Sequence, residues 1–564
     1  MKRMMKKVGT FGGFLSAAVL LLSTAAMAAP DFMVNAATAG SDAFYRTATT
    51  PEGGFAGFGK AGDYAMAAKF DQYGRMEWAK AFTGVVHSNC NSGAAGSSGM
   101  FLVGRTGSSV LWVAKLAPWG RVLWQKEYTY GGYSSANLMG VCTAATSDGG
   151  CAISLRVNVD GSSGTYNYDQ GLMKIASDGS LEWAKFYGTA AYDLAGEVIE
   201  TKGLDGSPDG YLMVTQEENW GGVNLDNEVI AIKVGANGEK QWIGAYAGYD
   251  ASSPAIPDGN EFVKGICQTA DHGYAIVGSS YSASDPAWSS RRTPYILKVD
   301  SAGGKAWAKR FGVLSSDPGA NGLAYGGVAQ AADNSDLILG ATYLNDAFWL
   351  LRFSGEGSLL EEATYPISAN MPNMLGSVFA TPDGGGVAAG WSKTYGAGDY
   401  DAFIMKFDAN LAFSGTECGA GADPASEVAD MRFDAQDVTA NCHELDYTAK
   451  WSVANASAVE YDPSFWLWSC AADSDRDSDG VLDYLDNCPA ASNSGQEDGD
   501  GDGYGNACDC DLDNDGSVAQ ADLLLLRGYW GTGQDAADFN SDGAVNQADL
   551  LMLRAKWGAA YPWY

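Results

Sequence analysis

Short apolar stretches, each ending in a basic residue, punctuate the first four hundred positions of the chain. The basic residues are Lys69, Lys115, Lys174, Lys233, Lys298, Arg352 and Lys406. Nine residues after each of the first five stands a tryptophan: Trp78, Trp124, Trp183, Trp242 and Trp307. Four residues before each tryptophan is a glycine: Gly74, Gly120, Gly179, Gly238 and Gly303. The sixth copy keeps Gly357 but has Glu361 in place of the tryptophan, and the seventh, around 407–413, has lost both. Upstream, Thr50-Pro-Glu-Gly-Gly54, Thr146-Ser-Asp-Gly-Gly150 and Thr381-Pro-Asp-Gly-Gly385 are three copies of one hairpin turn. Asp and Gly there supply the positive-φ positions a tight turn needs. Each unit therefore reads as strand, Asp-Gly turn, strand, loop, strand ending in Lys, Gly turn, strand carrying Trp.

Four short antiparallel strands in roughly 55 residues make one propeller blade by size. A lone four-stranded sheet cannot bury both faces, so the copies must stack. Seven of them closed in a ring leave only short, protected edges. The pattern predicts a mainly β chain with a seven-bladed β-propeller-like domain over 29–418, a β-solenoid being the alternative. It resembles secreted bacterial β-propeller repeats, including quinoprotein-like ones. The blade tryptophans are expected to be structural, each docking on the neighbouring sheet.

Charge changes the picture at the other end. The 564 residues carry a net charge of −33, which excludes nucleic acid as a partner, because phosphate binding needs clustered Lys and Arg. Between Asp473 and Asp549 there are 19 acidic residues against two arginines, a local net of −17. The acids are regularly spaced. Asp475, Asp477, Asp479, Asp483 and Asp486 precede Cys488, and Asp498, Asp500 and Asp502 precede Cys508. Calcium takes several oxygens at once, and alternate aspartates around glycine-permitted turns deliver them. Residues 473–510 resemble the thrombospondin type 3 repeat, which implies a calcium-bound acidic stalk, and a Cys488–Cys508 disulfide is expected there in place of a core. Residues 419–472 read as a spacer or small β module.

Two twelve-residue loops follow. The first offers Asp511, Asp513, Asp515, Ser517 and Asp522, and the second Asp538, Asn540, Asp542, Ala544 and Asp549. Positions one, three, five and twelve present side-chain oxygens, position seven (Ser517, Ala544) a backbone carbonyl, and Gly516 and Gly543 make the bend. Asp stands at position twelve, and only a following helix is evident. Residues 511–558, before a short tail 559–564, resemble a type I dockerin. That resemblance implies several bound calcium ions, and a cohesin-type module on a scaffold or cell surface as partner. It implies contacts through Gln520, Ala521, Leu524 and Arg527, and through Gln547, Ala548, Leu551 and Arg554.

The N-terminus has the form of a secretory signal over residues 1–28: Lys2, Arg3, Lys6 and Lys7, an apolar run from Phe11 to Leu22, and Ala26-Met27-Ala28 as the small-residue cleavage pattern. No later segment is long and apolar enough for a transmembrane anchor. Ten cysteines suit an oxidising compartment.

Enzymatic motifs fail in turn. Gly54 to Lys60 begins like a phosphate loop, but Ala61 stands where Ser or Thr should ligate magnesium. His87, His272 and His443 are far apart, and no G-x-S-x-G elbow is present. Two carboxylates for glycoside hydrolysis leave no sequence trace. The expectation is therefore a secreted or surface-displayed binding protein with no catalytic residue to name. Its propeller would meet a ligand, a polysaccharide or surface glycan among the candidates. A dockerin-tethered glycoside hydrolase or lyase is the alternative.

Overall fold

The computed structural model describes residues 32–559 except 38–39, 87–91, 108–109, 131–138, 159–167, 189–195, 219–226, 250–259, 283–290, 313–326, 333–335, 344–346, 367–373, 393–399, 413–426, 431, 438–442, 447–450, 456–458, 462–465, 472–474, 482–485 and 501–503. The proposed signal segment lies outside them.

Seven four-stranded antiparallel blades form the ring. Blade one runs Ala43–Thr49, Phe55–Ala61, Tyr64–Phe70, Met76–Val86. Blades two to six span 92–130, 139–188, 197–249, 260–312 and 328–366. Blade seven takes three strands from 374–407 and its fourth from the N-terminus, Phe32–Ala37. This closure explains the degenerate seventh copy. Opposite each basic residue of blades one to five stands the blade tryptophan, as in Lys298 opposite Trp307. Opposite Lys406 stands Phe32, supplied from the far end of the sequence.

The repeated residues hold neighbouring blades together. The Trp78, Trp124, Trp242 and Trp307 indoles each donate to a carbonyl in the next blade's glycine turn: Pro118, Ser177, Ser301 and Gly355, at 2.9–3.1 Å. The turn glycines Gly120, Gly303 and Gly357 then lie against the rings of Trp78, Trp242 and Trp307. Gly303, at φ +85°, would bring a Cβ to 2.9 Å from Trp242. The tryptophan of one copy and the glycine of the next are thus one contact. Trp242→Ala is expected to cost about 2–3 kcal/mol, below the usual core value because the ring is only half-buried. Gly303→Ala should cost about 2 kcal/mol through φ and overlap together. Thermal denaturation checks both.

The basic residues are buried charges that need partners. Asp148, Asp271 and Asp383 of the hairpin turns, and Asp209 at the start of its strand, pair with Lys174, Lys298, Lys406 and Lys233 at 2.7–3.2 Å. Arg352 takes Asp336 at 2.8 Å and Lys69 takes Glu77 at 2.7 Å. Lys115, whose own hairpin has no acid, donates to Gly149 O of blade three at 3.0 Å. Burial alone would raise the Asp271 carboxyl, but hydrogen bonds from Lys298 and Thr269 outweigh it and hold it at about 2. Asp148 and Asp383 are held low in the same way. A folded pKa below the unfolded one stabilises the fold above that unfolded value, about 3.9, and the gain disappears as pH falls toward 2. The ring's melting temperature should therefore drop between about pH 4 and 2. Asp271→Asn should flatten that drop.

Beyond blade seven the chain turns back around the ring. Glu427–Asp430 adds a fifth strand to blade five, Arg432–Asp437 to blade four, and His443–Asp446 to blade three. Trp451–Asn455 then pairs with blade two, Val459–Tyr461 with blade one, and Trp466–Ala471 with the ring-closing strand Phe32–Ala37. The stretch expected as a spacer or small β module is thus a belt of six short antiparallel strands. It covers outer edges that would otherwise expose unpaired backbone groups. Among the described residues, only blade six lacks a fifth strand. We propose that the propeller unit extends to about residue 471. Limited proteolysis in chelator should leave a resistant fragment ending near Ala471; one ending near Cys418 would contradict this boundary.

Candidate calcium sites

The acidic residues sit on loops whose bends the sequence dictates. In 475–486, 511–522 and 538–549 the fourth residue has positive φ: Ser478, +63°; Asn514, +53°; Ser541, +52°. The glycine at six follows at +95°, +93° and +92°. The first aspartate accepts from that glycine's N–H: Gly480 to Asp475 at 2.9 Å, Gly516 to Asp511 and Gly543 to Asp538 at 2.7 Å each. It accepts a second bond from residue five, at 3.0, 3.3 and 3.0 Å. The fifth residue accepts in turn from position seven: Val481, Ser517 and Ala544. Three separate stretches thus fold into one geometry, curling the carboxylates inward.

Asp475, Asp477 and Asp479 each place a carboxylate oxygen within 4.8 Å of the others, and so do Asp511, Asp513 and Asp522. Both oxygens of Asp477 and one each of Asp486 and Asp549 are buried without a hydrogen-bond partner. Burial, reinforced by neighbouring acids including Asp522, pushes the Asp511 carboxyl up to about 7. Burial, with Asp479 and Asp486 beside it, raises Asp477. Such all-oxygen, multiply acidic sites fit a hard divalent cation of calcium's size. Asp475, Asp477, Asp479 and Asp486 would hold one ion, Asp511, Asp513, Asp515 and Asp522 a second, and Asp538, Asn540, Asp542 and Asp549 a third. Carbonyls at Val481, Ser517 and Ala544 would complete them.

Asp483 and Asp502 lie outside the described residues. Asp498 and Asp500 open a fourth twelve-residue frame that ends on Asp509, which is buried and accepts from Asp511 N–H at 2.8 Å. Sequence reasoning passed over Asp509, although its spacing of eleven from Asp498 is that of every other loop. The Cys488–Cys508 disulfide is formed.

The position-twelve aspartates also start the helices α1 (Gln520–Gly528) and α2 (Gln547–Ala555), each accepting from the N-cap backbone N–H at 2.7 Å. The two units are related at an offset of 27. Val518 and Val545, and Leu526 and Leu553, share a buried core, into which Tyr504 of the preceding segment also packs. On the outer surface Leu524 and Leu551 are 58% and 57% exposed, and Trp530 and Trp557 are 47% and 48% exposed. Gln520, Arg527, Gln547 and Arg554 are exposed beside them, and Ala521 and Ala548 are half-buried. The tryptophans were not among the expected contacts. Their signal was the same offset and the glycine after each.

The ring has a second polar focus. Its innermost strands enclose a channel of about 470 Å³. Within it Arg46 of blade one pairs with Glu197 of blade four. The Cys142 thiol donates to Glu197 at 3.2 Å and accepts from Arg46 at 3.3 Å. These groups satisfy one another.

Residues 509–556 match the dockerin type I domain, and residues 469–496 match the thrombospondin type 3 repeat. A dockerin implies attachment to a cohesin partner. No curated protein matches the chain. Among solved structures the chain is similar to the PilY1 C-terminal domain of Pseudomonas aeruginosa, at 10% identity and TM-score 0.33, over 62% of this chain and 92% of that one. It is similar to a family PL25 ulvan lyase at 9% and 0.31, over 68% and 95%. It is also similar to TolB from Acinetobacter baumannii at 12% and 0.26, over 66% and 81%. At these values none of those proteins' activities transfers to this chain. Among the described residues no helix is long and apolar enough to cross a membrane.

Proposed function

We propose that this chain is an exported calcium-binding protein whose propeller meets a ligand and whose dockerin fastens it to a cohesin-bearing scaffold or cell surface. The matched exposed pairs Leu524/Leu551 and Trp530/Trp557, on two units built around calcium loops, carry this reading. Exposed apolar and aromatic groups ringed by Gln and Arg are the composition of a protein-binding surface. The propeller's role is adhesion or capture, with a polysaccharide or surface glycan as the ligand class. Its repeated ion pairs are committed to bracing each blade and its tryptophans to joining one blade to the next. Binding of the full chain to immobilised cohesins in calcium, and to a glycan array, tests both halves. Loss of cohesin binding in calcium would overturn the anchoring role. Turnover of a polysaccharide by the same preparation would replace the adhesion role with that of a tethered carbohydrate-active enzyme.

A further inference from the structure

The seven turns, six centred on glycine and the last on Leu411, share one geometry but not one composition. Around the turn centre, five copies read Asp178-Gly-Ser180, Asn237-Gly-Glu239, Ala302-Gly-Gly304, Glu356-Gly-Ser358 and Asn410-Leu-Ala412. The other two, in adjacent blades one and two, read Tyr73-Gly-Arg75 and Trp119-Gly-Arg121. Only these carry an aromatic residue before the centre and an arginine after it.

Both turns meet the calcium-loop segment. The Arg476 guanidinium, at position two of the 475–486 loop, donates to the Tyr73 hydroxyl and lies 5.8 Å from its ring centroid. Arg75 sits 5.2 Å from the ring centroid of Tyr504, at position seven of the 498–509 frame. Its charge also reaches Asp486. The Trp119 ring lies flush on Gly516, the bend of the 511–522 loop, where a Cβ would stand 2.7 Å from the ring. At Gly543, the equivalent bend of the other unit, a Cβ would meet nothing within 4 Å. Sequence and contact therefore agree from independent directions. The two turns that carry an aromatic residue and an arginine are the two that touch the tail, and Arg75 sets a positive charge against its acidic loops.

We propose that the Tyr73–Arg75 and Trp119–Arg121 turns form an intramolecular seat for the calcium-loaded segment. Calcium would then dock the dockerin on the rim of blades one and two, instead of merely stiffening a free stalk. The inference rests on the calcium reading above, since Gly516 offers its flat face to Trp119 only when the loop is bent around its ligands. Seating uses the first dockerin unit and leaves α1 and α2 with Leu524 and Leu551 exposed. The anchor would thus hold the propeller in a fixed attitude.

The test compares the full chain with Trp119→Ala, Arg476→Ala and the double variant, in calcium and in chelator. Small-angle scattering and amide exchange report docking, circular dichroism reports the helices, and calorimetry reports the ring. In calcium the wild type should be compact. Amides in 71–75 and 117–121 should exchange at least tenfold faster in chelator. The double variant should be extended and fast-exchanging even in calcium, with helical signal and ring melting unchanged. A double variant as compact and protected as the wild type overturns the seat. So does a wild type whose two turns exchange equally with and without calcium. Helices indifferent to calcium overturn the calcium reading, and with it the calcium dependence of docking.

Discussion

Stripping calcium from the full-length chain is expected to erase nearly all the helical signal of α1 and α2 while leaving the sheet signal of the ring. Among the described residues, 473–558 bury few apolar side chains, and the core shared by the two units and the segment before them amounts to eight. So small a core does not hold a fold alone. Against it stand clustered carboxylates, with oxygens of Asp477, Asp486 and Asp549 buried and unpartnered, whose mutual repulsion a cation relieves. Metal binding there is therefore folding free energy. Circular dichroism in chelator, followed by calcium add-back, is the check. A helical signal that persists unchanged in chelator would show that the disulfide and core suffice.

Placing a charge at the start of both helices should abolish cohesin binding, whereas placing it on either one should barely register. Gln520-Ala521 and Gln547-Ala548 occupy equivalent positions at the offset of 27, and the exposures of Leu524 and Leu551 match. The backbone repeats the relation. Val518 exchanges hydrogen bonds with Gly558 and Ala559, and Val545 with Gly531 and Thr532. A near two-fold axis presents an equivalent surface after a half turn, as an isologous patch does. If both orientations bind, losing one of two equal modes costs only RT ln 2, about 0.4 kcal/mol. Charging both helix starts buries an unpaired charge in either mode and should cost about 3–5 kcal/mol. Titration calorimetry against one cohesin, with each Gln-Ala pair replaced by Glu and then both, measures this. If a variant altered on one helix alone already fails to bind, the surface works in one orientation.

The repeat announced the blades because each copy carries an obligate contact. A buried lysine needs its carboxylate, and an indole needs a flat glycine turn to rest on. The irregular copies were legible too, once the contact is seen to cross between blades. Glu361 replaces the tryptophan of blade six, and the turn it would have touched has Leu411 at φ +55° in place of glycine. The belt left no such trace. Its strands are three to six residues long and pair through backbone groups, which impose no residue type. Ring closure by Phe32–Ala37 was equally silent, since nothing local ties that strand to Lys406. The calcium-loop frames were legible because ligand chemistry fixes residue type and spacing, as the dockerin type I and thrombospondin type 3 matches bear out, whereas Asp509 stood in the sequence only as the close of its segment. The aromatic-Gly-Arg turns were visible as letters, but their purpose depends on a contact four hundred residues away.

The belt has a mechanical meaning. Once the seat on blades one and two gives way, a pull on the C-terminal anchor reaches the propeller through residue 472, and the first strand to feel that load is Trp466–Ala471. This strand lies along Phe32–Ala37, itself the clasp of the ring. Tension on the tether thus falls on the seam where the two ends of the propeller's chain meet, not on an arbitrary blade. From there the belt runs through blades one, two, three, four and five, each holding it by three to six register pairs. A pull that frees one short strand passes to the next, so hidden chain length can be released in steps while the inner blades stay folded.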